Sequence, residues 1–167
     1  DEVQCGNGRT GELFGYMNYG VKPDIVTTAK GLAGGLPIGA TLLGERAENI
    51  FEPGLHGSTF GGNPVSCSGA VNVLSRLTDC FLESVRGKGE LVRSMLSGAE
   101  GIEGVSGMGL MIGIKTKKTA AEVCAQCLKR GVLVLTAKDR VRLLPPLNIE
   151  TELLIKAVKI IKEVCAE

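Results

Sequence analysis

Several features that mark common classes of protein are missing from this sequence of 167 residues. Neither sign of charge is in excess, because 19 basic residues stand against 18 acidic ones, so nothing indicates binding to nucleic acid or to an anionic membrane. No run of about 18 apolar residues occurs, and a membrane-spanning helix is therefore not expected. The single histidine, His56, cannot by itself form a metal site or a Ser-His-Asp triad. We expect a partner that is a small molecule or a protein.

Cysteine is present, but not in a pattern that indicates disulfides or a metal site. The six cysteines are irregularly spaced, mostly within apolar stretches, which favours reduced thiols in a cytoplasmic protein. Cys124 and Cys127 match the C-x-x-C pattern, but they fall inside a predicted helix and no second pair accompanies them. A zinc site needs about four ligands, and a redox-active pair belongs at a helix N-terminus. We interpret both as buried structural cysteines.

The first half of the chain predicts two strands joined by a glycine-rich loop, followed by a helix. Residues 24–28 are rich in β-branched side chains and predict a short buried strand, and residues 40–44 predict a second one. Asn63 before Pro64 indicates a helix start, because asparagine caps a first turn and proline has no amide hydrogen to lose there.

This helix is expected to continue to about Arg86, where Gly87 and Gly89 interrupt it. Beyond it the pattern becomes a compact α+β one. The predicted elements are a strand over 107–114, a helix opened by a capping box of Thr119 and Glu122 and running to about Lys129, strands over 132–135 and 141–147, and an amphipathic helix over 152–164. We place a boundary near residue 78, which gives domains 1–77 and 78–167.

The segment from Gly6 to Gly11 fits the dinucleotide-binding pattern G-x-G-x-x-G. That function requires a hydrophobic strand before the pattern and a helix that opens at its third glycine. Residues 1–4 are not such a strand, and Gly15 breaks the stretch that follows. We therefore favour a tight polar loop.

Lys30 stands where a solvent-exposed lysine is not expected. It ends the strand predicted over 24–28 and enters an apolar, glycine-rich loop instead of a polar surface. Removal from water favours the uncharged amine, which is nucleophilic toward an aldehyde. Lys30 is thus a candidate Schiff-base lysine, with an ordinary lysine as the alternative.

Two further places indicate binding of an anion. Ser58 and Thr59 offer hydroxyl groups in a flexible segment just before a helix N-terminus, where a phosphate could bind, although a plain capped loop explains them equally well. Arg142 lies on an otherwise apolar strand, so its guanidinium must pair with a carboxylate of the protein or of a ligand.

Five motifs, taken together, resemble the class III pyridoxal-phosphate-dependent aminotransferases. They are DEVQ at 1–4, GRTG at 8–11, PDI, TAKGL, GG and PIGA within 23–40, HGSTFGGNP at 56–64, and RLLPPL at 142–147. They follow the family's order and spacing over essentially the whole chain, which makes the resemblance more specific than any single motif. Within the family, the resemblance is closest to the members that act on acetylornithine.

The resemblance implies an α/β fold of fold-type I. Residues 1–77 would be the C-terminal part of the large domain of a pyridoxal-phosphate-dependent transferase, and residues 78–167 its small α+β C-terminal domain. Lys30 would bind the cofactor, pyridoxal 5'-phosphate, covalently, and Asp1 would pair with the protonated ring nitrogen. Gln4 would lie beside the phenolic oxygen of the ring.

The remaining site residues are implied in the same way. Ser58 and Thr59 would reach the phosphate of the neighbouring subunit's cofactor, which implies a homodimer. Arg142 would bind the α-carboxylate of the substrate. The implied reaction moves the ω-amino group of N-acetylornithine to 2-oxoglutarate, in arginine biosynthesis.

Other functions stay open beside this one. The aminotransferases for ornithine, succinylornithine and 4-aminobutyrate share the same motifs. A non-catalytic module that keeps the fold would be expected to have lost Lys30, Asp1 or Arg142, and all three are present.

The chain opens on Asp1 without an initiating methionine, and the resemblance is to a C-terminal half. In the family, the N-terminal half carries the phosphate-binding turn, the aromatic residue stacked on the cofactor ring and a second substrate-binding arginine. We therefore expect the 167-residue piece alone neither to transaminate nor to retain the cofactor tightly.

Overall fold

The β-branched residues after Pro23 form a strand, as their composition predicts. This strand, β1 (Ile25–Thr28), pairs antiparallel with β2 (Ala40–Leu43). Val26 and Thr28 are buried, while the two residues that alternate with them are exposed. The strand is therefore covered on one face only, which is common in antiparallel pairs.

The structure, a computed structural model, describes every residue from Asp1 to Glu167 and divides into two compact units, Asp1–Leu82 and Glu83–Glu167. Besides β1 and β2, the first unit contains two short 3-10 helices, Gly15–Tyr19 and Lys30–Ala33, and the helix α1, Pro64–Arg76. Leu32 and Ala33 pack against Ala70 of α1 in a small apolar cluster. The turn that follows β1 is thereby fixed against α1.

The long helix predicted in this region is two helices. α1 ends at Arg76, and α2 (Asp79–Leu96) begins after Thr78, whose hydroxyl oxygen accepts a hydrogen bond from the amide of the third residue of the new helix (3.3 Å). A threonine in this position starts a helix by satisfying an otherwise unpaired amide. The predicted interruption at Gly87 and Gly89 was wrong, because α2 runs through both.

Close packing, and not helix propensity, explains why residue 89 is a glycine. A Cβ atom at Gly89 would lie 2.2 Å from the carbonyl oxygen of Gly109, whereas a Cβ atom at Gly87 would meet nothing within 4 Å. α2 thus contacts the segment around Gly109 backbone to backbone. Only glycine permits this approach.

The second unit is built on a four-stranded antiparallel sheet with the strand order β3-β4-β6-β5. In chain order its elements after α2 are β3 (Ile102–Met108), β4 (Met111–Thr116), α3 (Ala120–Lys129), β5 (Leu135–Ala137), β6 (Arg140–Leu143) and α4 (Thr151–Ala166). α3 packs against β5 and β6, and α4 packs against α3 and β3. The fully buried side chains of this core include Val92, Leu96, Ile112, Ile114, Val123, Val141, Val158 and Val164.

Three predicted strands differ from the observed ones. Residues 107–114, predicted as one strand, contain a two-residue turn at Gly109 and Leu110 that joins β3 to β4. Because apolar residues continue through the turn, their spacing did not reveal it. The strand predicted over 132–135 overlaps β5 only at its last residue. The strand predicted over 141–147 ends already at Leu143, shortly before Pro145 and Pro146, which have no amide hydrogen to donate to a sheet.

Two helix predictions in this unit are confirmed. The hydroxyl of Thr119 accepts a hydrogen bond from the Glu122 amide (3.3 Å), and the Glu122 carboxylate accepts one from the Thr119 amide (2.9 Å). The Thr119 hydroxyl also donates to the Glu122 carboxylate (2.6 Å), and this bond, together with the one from the Thr119 amide, lowers the pKa of the Glu122 carboxyl group. The final helix buries the predicted apolar face through Leu154, Val158, Ile161 and Val164. None of the four α-helices combines the length and the apolar character that a membrane crossing requires.

Of the six cysteines, Cys127 and Cys165 are buried, and Cys80 is exposed. No disulfide joins any of the six. Cys124 and Cys127 lie within α3, as predicted, but only Cys127 is fully buried, and Cys124 is partly exposed. Burial, reinforced by the neighbouring Cys165 and Cys124 thiols, raises the pKa of Cys127 to about 11. A thiol of this kind stays protonated at neutral pH and is a poor nucleophile.

We predict that alanine has opposite effects at the two glycines of α2. Gly89→Ala should lower the free energy of unfolding by about 1–3 kcal/mol or more, because the new methyl group overlaps a backbone carbonyl. Gly87→Ala should raise it by about 0.5–1 kcal/mol, since alanine is the better helix former and meets open space. Urea unfolding followed by circular dichroism measures both values. Equal effects at the two positions would contradict the backbone contact.

Candidate functional site

Lys30 follows β1 as the first residue of the 3-10 helix Lys30–Ala33. Its side chain is exposed and makes no hydrogen bond or ion pair, so the predicted removal from water was wrong for this chain. The reason lies in the residues that follow: Leu32 and Ala33 turn into the apolar cluster against α1 and leave Lys30 outside. The backbone φ of Lys30 is +46°, a left-handed conformation that few residues other than glycine adopt.

Asp1 lies beside β1, close to the point from which Lys30 leaves it. The Glu2 amide donates a hydrogen bond to the Thr27 carbonyl (2.8 Å), and the Thr27 hydroxyl lies 3.5 Å from Oδ1 of Asp1. The same carboxylate oxygen accepts a hydrogen bond from the Val3 amide (2.8 Å). The Asp1 carboxylate is thus attached to the strand that Lys30 follows.

The carboxylate of Glu2 is buried and organises the segment behind Asp1. One oxygen accepts a hydrogen bond from the Gly15 amide (2.8 Å), and the other accepts one from the Tyr16 amide (2.9 Å). These two amides belong to the first residues of the 3-10 helix Gly15–Tyr19. Amides at the start of a helix have no acceptor within it, so a carboxylate binds them favourably. A buried charge is tolerated here because both of its oxygens are paired.

Asn7 connects the same segment to the end of β1. Its Nδ2 donates to the Thr28 hydroxyl (3.1 Å) and to the Ala29 carbonyl (3.0 Å). The residue is only 6% exposed, its φ is +56°, and its Oδ1 is buried without a partner. Sequence reasoning missed both Glu2 and Asn7. The one sign available for Asn7 is an asparagine between two glycines, which favours a left-handed turn.

The segment from Gly6 to Gly11 is the tight polar loop that was favoured over a dinucleotide site. No strand precedes it and no helix opens at Gly11. The next helical turn begins at Gly15 and is a short 3-10 helix. Gly8 and Gly11 have φ values of +87° and +90°, so the loop needs glycine at both places. Burial lowers the pKa of the Arg9 guanidinium within this loop.

Gln4, Ser58 and Thr59 are exposed, and no hydrogen bond or ion pair joins them to Asp1 or Lys30. The amides at the start of α1 are not open to an anion in the way the sequence suggested. The Asn63 side chain accepts hydrogen bonds from two of them, at 3.0 and 3.2 Å. The predicted Asn63 cap is thereby confirmed, and an anion near Ser58 would rely on hydroxyl groups and loop amides.

Arg142 belongs to the second unit, on β6, where it lies opposite Gly113 of β4 and Leu135 of β5. It lines a cavity of about 320 Å³ whose other walls are almost entirely apolar. Its Nε is buried and has no hydrogen-bond partner. A buried donor of this kind is costly unless a ligand or another part of the protein accepts from it. The sequence left two partners open for Arg142, a carboxylate of the protein or of a ligand, and no protein carboxylate pairs with it here.

A lysine that follows a strand, with an aspartate attached to the same strand, suits a pyridoxal-phosphate-dependent enzyme. Comparison with protein families agrees. The model of the class-III aminotransferases matches residues 1–165, and the chain belongs to this family.

Similar proteins and structures carry related names. The chain is 50% identical to an acetylornithine aminotransferase of Haemophilus ducreyi and 45% identical to one of Corynebacterium efficiens, with all of the chain matched to 43% and 42% of those proteins. Among solved structures, the acetylornithine aminotransferase of Elizabethkingia anophelis gives a TM-score of 0.85 at 34% identity, over 98% of this chain and 44% of that one. The ornithine aminotransferase of Toxoplasma gondii gives 0.90 at 31% identity, over 99% and 42%. The chain thus spans less than half the length of these relatives.

We predict that the buried carboxylate of Glu2 is needed for stability. Glu2→Gln would place an amide NH₂ group against one of two backbone donors, and it should lower the free energy of unfolding by about 1–3 kcal/mol. The control is Glu52→Gln at an exposed position, which should change it by less than about 0.5 kcal/mol. Thermal and urea unfolding provide the measurement. An equally small effect at both positions would argue against the role of Glu2.

Proposed function

We propose that the complete protein is a pyridoxal-phosphate-dependent aminotransferase that moves the ω-amino group of N-acetylornithine to 2-oxoglutarate, in arginine biosynthesis. The observation that carries the proposal is the exposed, unpaired amine of Lys30 just after β1, the strand that the Asp1 carboxylate contacts through Thr27. The similarity to acetylornithine aminotransferases over the whole chain supports the choice of amino donor.

The side chains of the first unit fit pyridoxal phosphate by their chemistry. When bound, the cofactor supplies an aldehyde that reacts with an amine and a ring that withdraws electrons. Lys30 would hold the aldehyde carbon, and the Asp1 carboxylate would keep a proton on the ring nitrogen. Gln4 would donate to the phenolic oxygen. Asp1 suits its role because its carboxylate is anchored by the Val3 amide and contacts Thr27 on the strand that Lys30 follows.

Lys30 has a second task once the substrate has taken its place. Its amine would remove a proton from the carbon that bears the transferred nitrogen and deliver that proton elsewhere in the site. The long side chain and the absence of a fixed partner suit a group that must move between two positions. Placement of this amine is then the main demand on the surrounding backbone.

Arg142 would bind the α-carboxylate of the substrate. A guanidinium matches a carboxylate with two parallel hydrogen bonds, and the buried Nε without a partner is a donor to be satisfied. Apolar walls strengthen such a pair because little water competes for it.

The assembly and location follow from the same resemblance. Ser58 and Thr59 would contact the phosphate in the neighbouring subunit of a cytoplasmic homodimer, and their exposure in this chain supports that role. Residues 1–77 would belong to the large domain, and residues 78–167 would form the small one.

The main alternative is another amino donor within the same family. Ornithine aminotransferases are among the similar structures, at 31–34% identity, and succinylornithine or 4-aminobutyrate stay possible donors. Initial rates of the complete protein with these four donors and 2-oxoglutarate would decide. We expect N-acetylornithine to give the highest kcat/KM, and a higher value for any other donor would replace our assignment.

We predict that Lys30→Ala removes the covalent link to the cofactor. The complete protein should lose its visible absorbance band and at least roughly 10³ in kcat/KM, because no other amine is placed to act. Lys22→Ala serves as the control, since Lys22 is an exposed lysine of the same unit that pairs with Glu45. A variant without Lys30 that keeps the band would contradict the assignment.

We predict that Arg142→Gln weakens binding of the carboxylate substrates. Loss of a charge-assisted pair should raise KM about 10- to 100-fold and change kcat less. Arg140→Gln, on the same strand, removes a hydrogen bond to Ser106 instead and is the matched control. Steady-state kinetics with varied 2-oxoglutarate measure both. Equal KM values for the two variants would remove Arg142 from the substrate site.

A further inference from the structure

We propose that Asn7 is a positioning residue for Lys30: its side-chain amide holds the two residues before the lysine and so sets the direction in which the lysine side chain leaves the backbone. The inference rests on the proposed function, in which the Lys30 amine must meet an aldehyde. Asn7 itself touches neither the substrate nor the cofactor in this account.

The hydrogen bonds of Asn7 are directed at the end of β1. Its Nδ2 donates to the Thr28 hydroxyl and to the Ala29 carbonyl, at 3.1 and 3.0 Å. The carbonyl can only accept, which fixes which end of the amide points toward it. Asn7 and Thr28 are both buried, so water competes little for these bonds.

The backbone at Lys30 needs such support. Its φ of +46° is unfavourable for a residue with a Cβ atom, and strain of this kind persists only where neighbouring contacts impose it. On the far side, Leu32 and Ala33 are held in the apolar cluster with α1. On the near side, Asn7 holds Ala29. The lysine is therefore fixed from both directions.

The Oδ1 atom of Asn7, which has no hydrogen-bond partner, indicates that the side chain does more than fill space. Its Oδ1 is buried without a partner, a state that costs stability. A leucine of similar size would avoid that cost but could not donate to Ala29. The two hydrogen bonds that Asn7 donates thus offset the cost in stability of burying its side chain. Because the lysine side chain is long, a small backbone rotation at Ala29 would displace its amine by a larger distance.

The experiment uses the complete protein freed of its cofactor. Pyridoxal phosphate is added, the bond to lysine is reduced with borohydride at timed intervals, and the labelled Lys30 peptide is quantified by mass spectrometry. Hydrogen exchange of residues 27–34 is followed in parallel. Asn7→Gly removes the side chain without adding strain, because glycine accepts the positive φ. Asn18→Ala is the control, since Asn18 also donates to one hydroxyl and one carbonyl, of Thr10 and Gly15, but does not touch β1.

We expect Asn7→Gly to slow labelling of Lys30 by roughly tenfold or more and to speed exchange over 27–34, since small misplacement of a reacting group is costly. In the loaded enzyme, kcat should fall while KM for the amino donor changes less than about twofold. Asn18→Ala should leave labelling and kcat unchanged. Labelling of Asn7→Gly at the unmodified rate would overturn the proposal.

Two further outcomes are separable. If Lys30 is not labelled in the unmodified protein, the proposed function fails, and the exchange of residues 27–34 still tests the hold of Asn7 on the strand. If Asn7→Gly does not fold, Asn7→Asp takes its place, because it keeps the shape but sets an acceptor against the Ala29 carbonyl. Normal labelling in Asn7→Asp would then refute the role of Asn7.

Discussion

The Glu2 amide donates to the Thr27 carbonyl, and the Asn7 side chain binds the residues just before Lys30. Through these few hydrogen bonds, the first turn of the chain is attached to a strand more than 20 residues further along. The carboxylate of Asp1 and the amine of Lys30 make no direct contact, so this attachment is what ties Asp1 to the strand that Lys30 follows. The buried Glu2 carboxylate further fixes this first turn, because it accepts hydrogen bonds from two backbone amides.

The sequence predicted best those features that depend on neighbours along the chain. The cap at Asn63 and the capping box of Thr119 and Glu122 were predictable because each satisfies amides only two or three residues away. The amphipathic face of α4 was predictable for a similar reason, since one helix turn sets its period. The family resemblance rested on motifs, and it named Lys30 and Asp1 as candidate site residues without any geometry.

Features that arise between distant parts of the chain were not predictable. Gly89 resembles a helix breaker in sequence, but its role is to let α2 approach Gly109, which no local pattern encodes. The exposure of Lys30 depends on where the residues after it find an apolar partner in α1. The bonds of Asn7 cross from one segment to another, and its neighbours in sequence carry no trace of them. Polar contacts of this range need coordinates.

The strand order β3-β4-β6-β5 leaves β5 at one edge of the sheet. Leu133 and Leu135 are exposed at and just before this edge, so the second unit presents apolar side chains next to unpaired backbone groups. At an open edge of this kind, strands of separate chains can pair with each other, which leads to aggregation. The shortness of β5, only three residues, limits that hazard. During synthesis, early covering of this edge would lower the risk of aggregation.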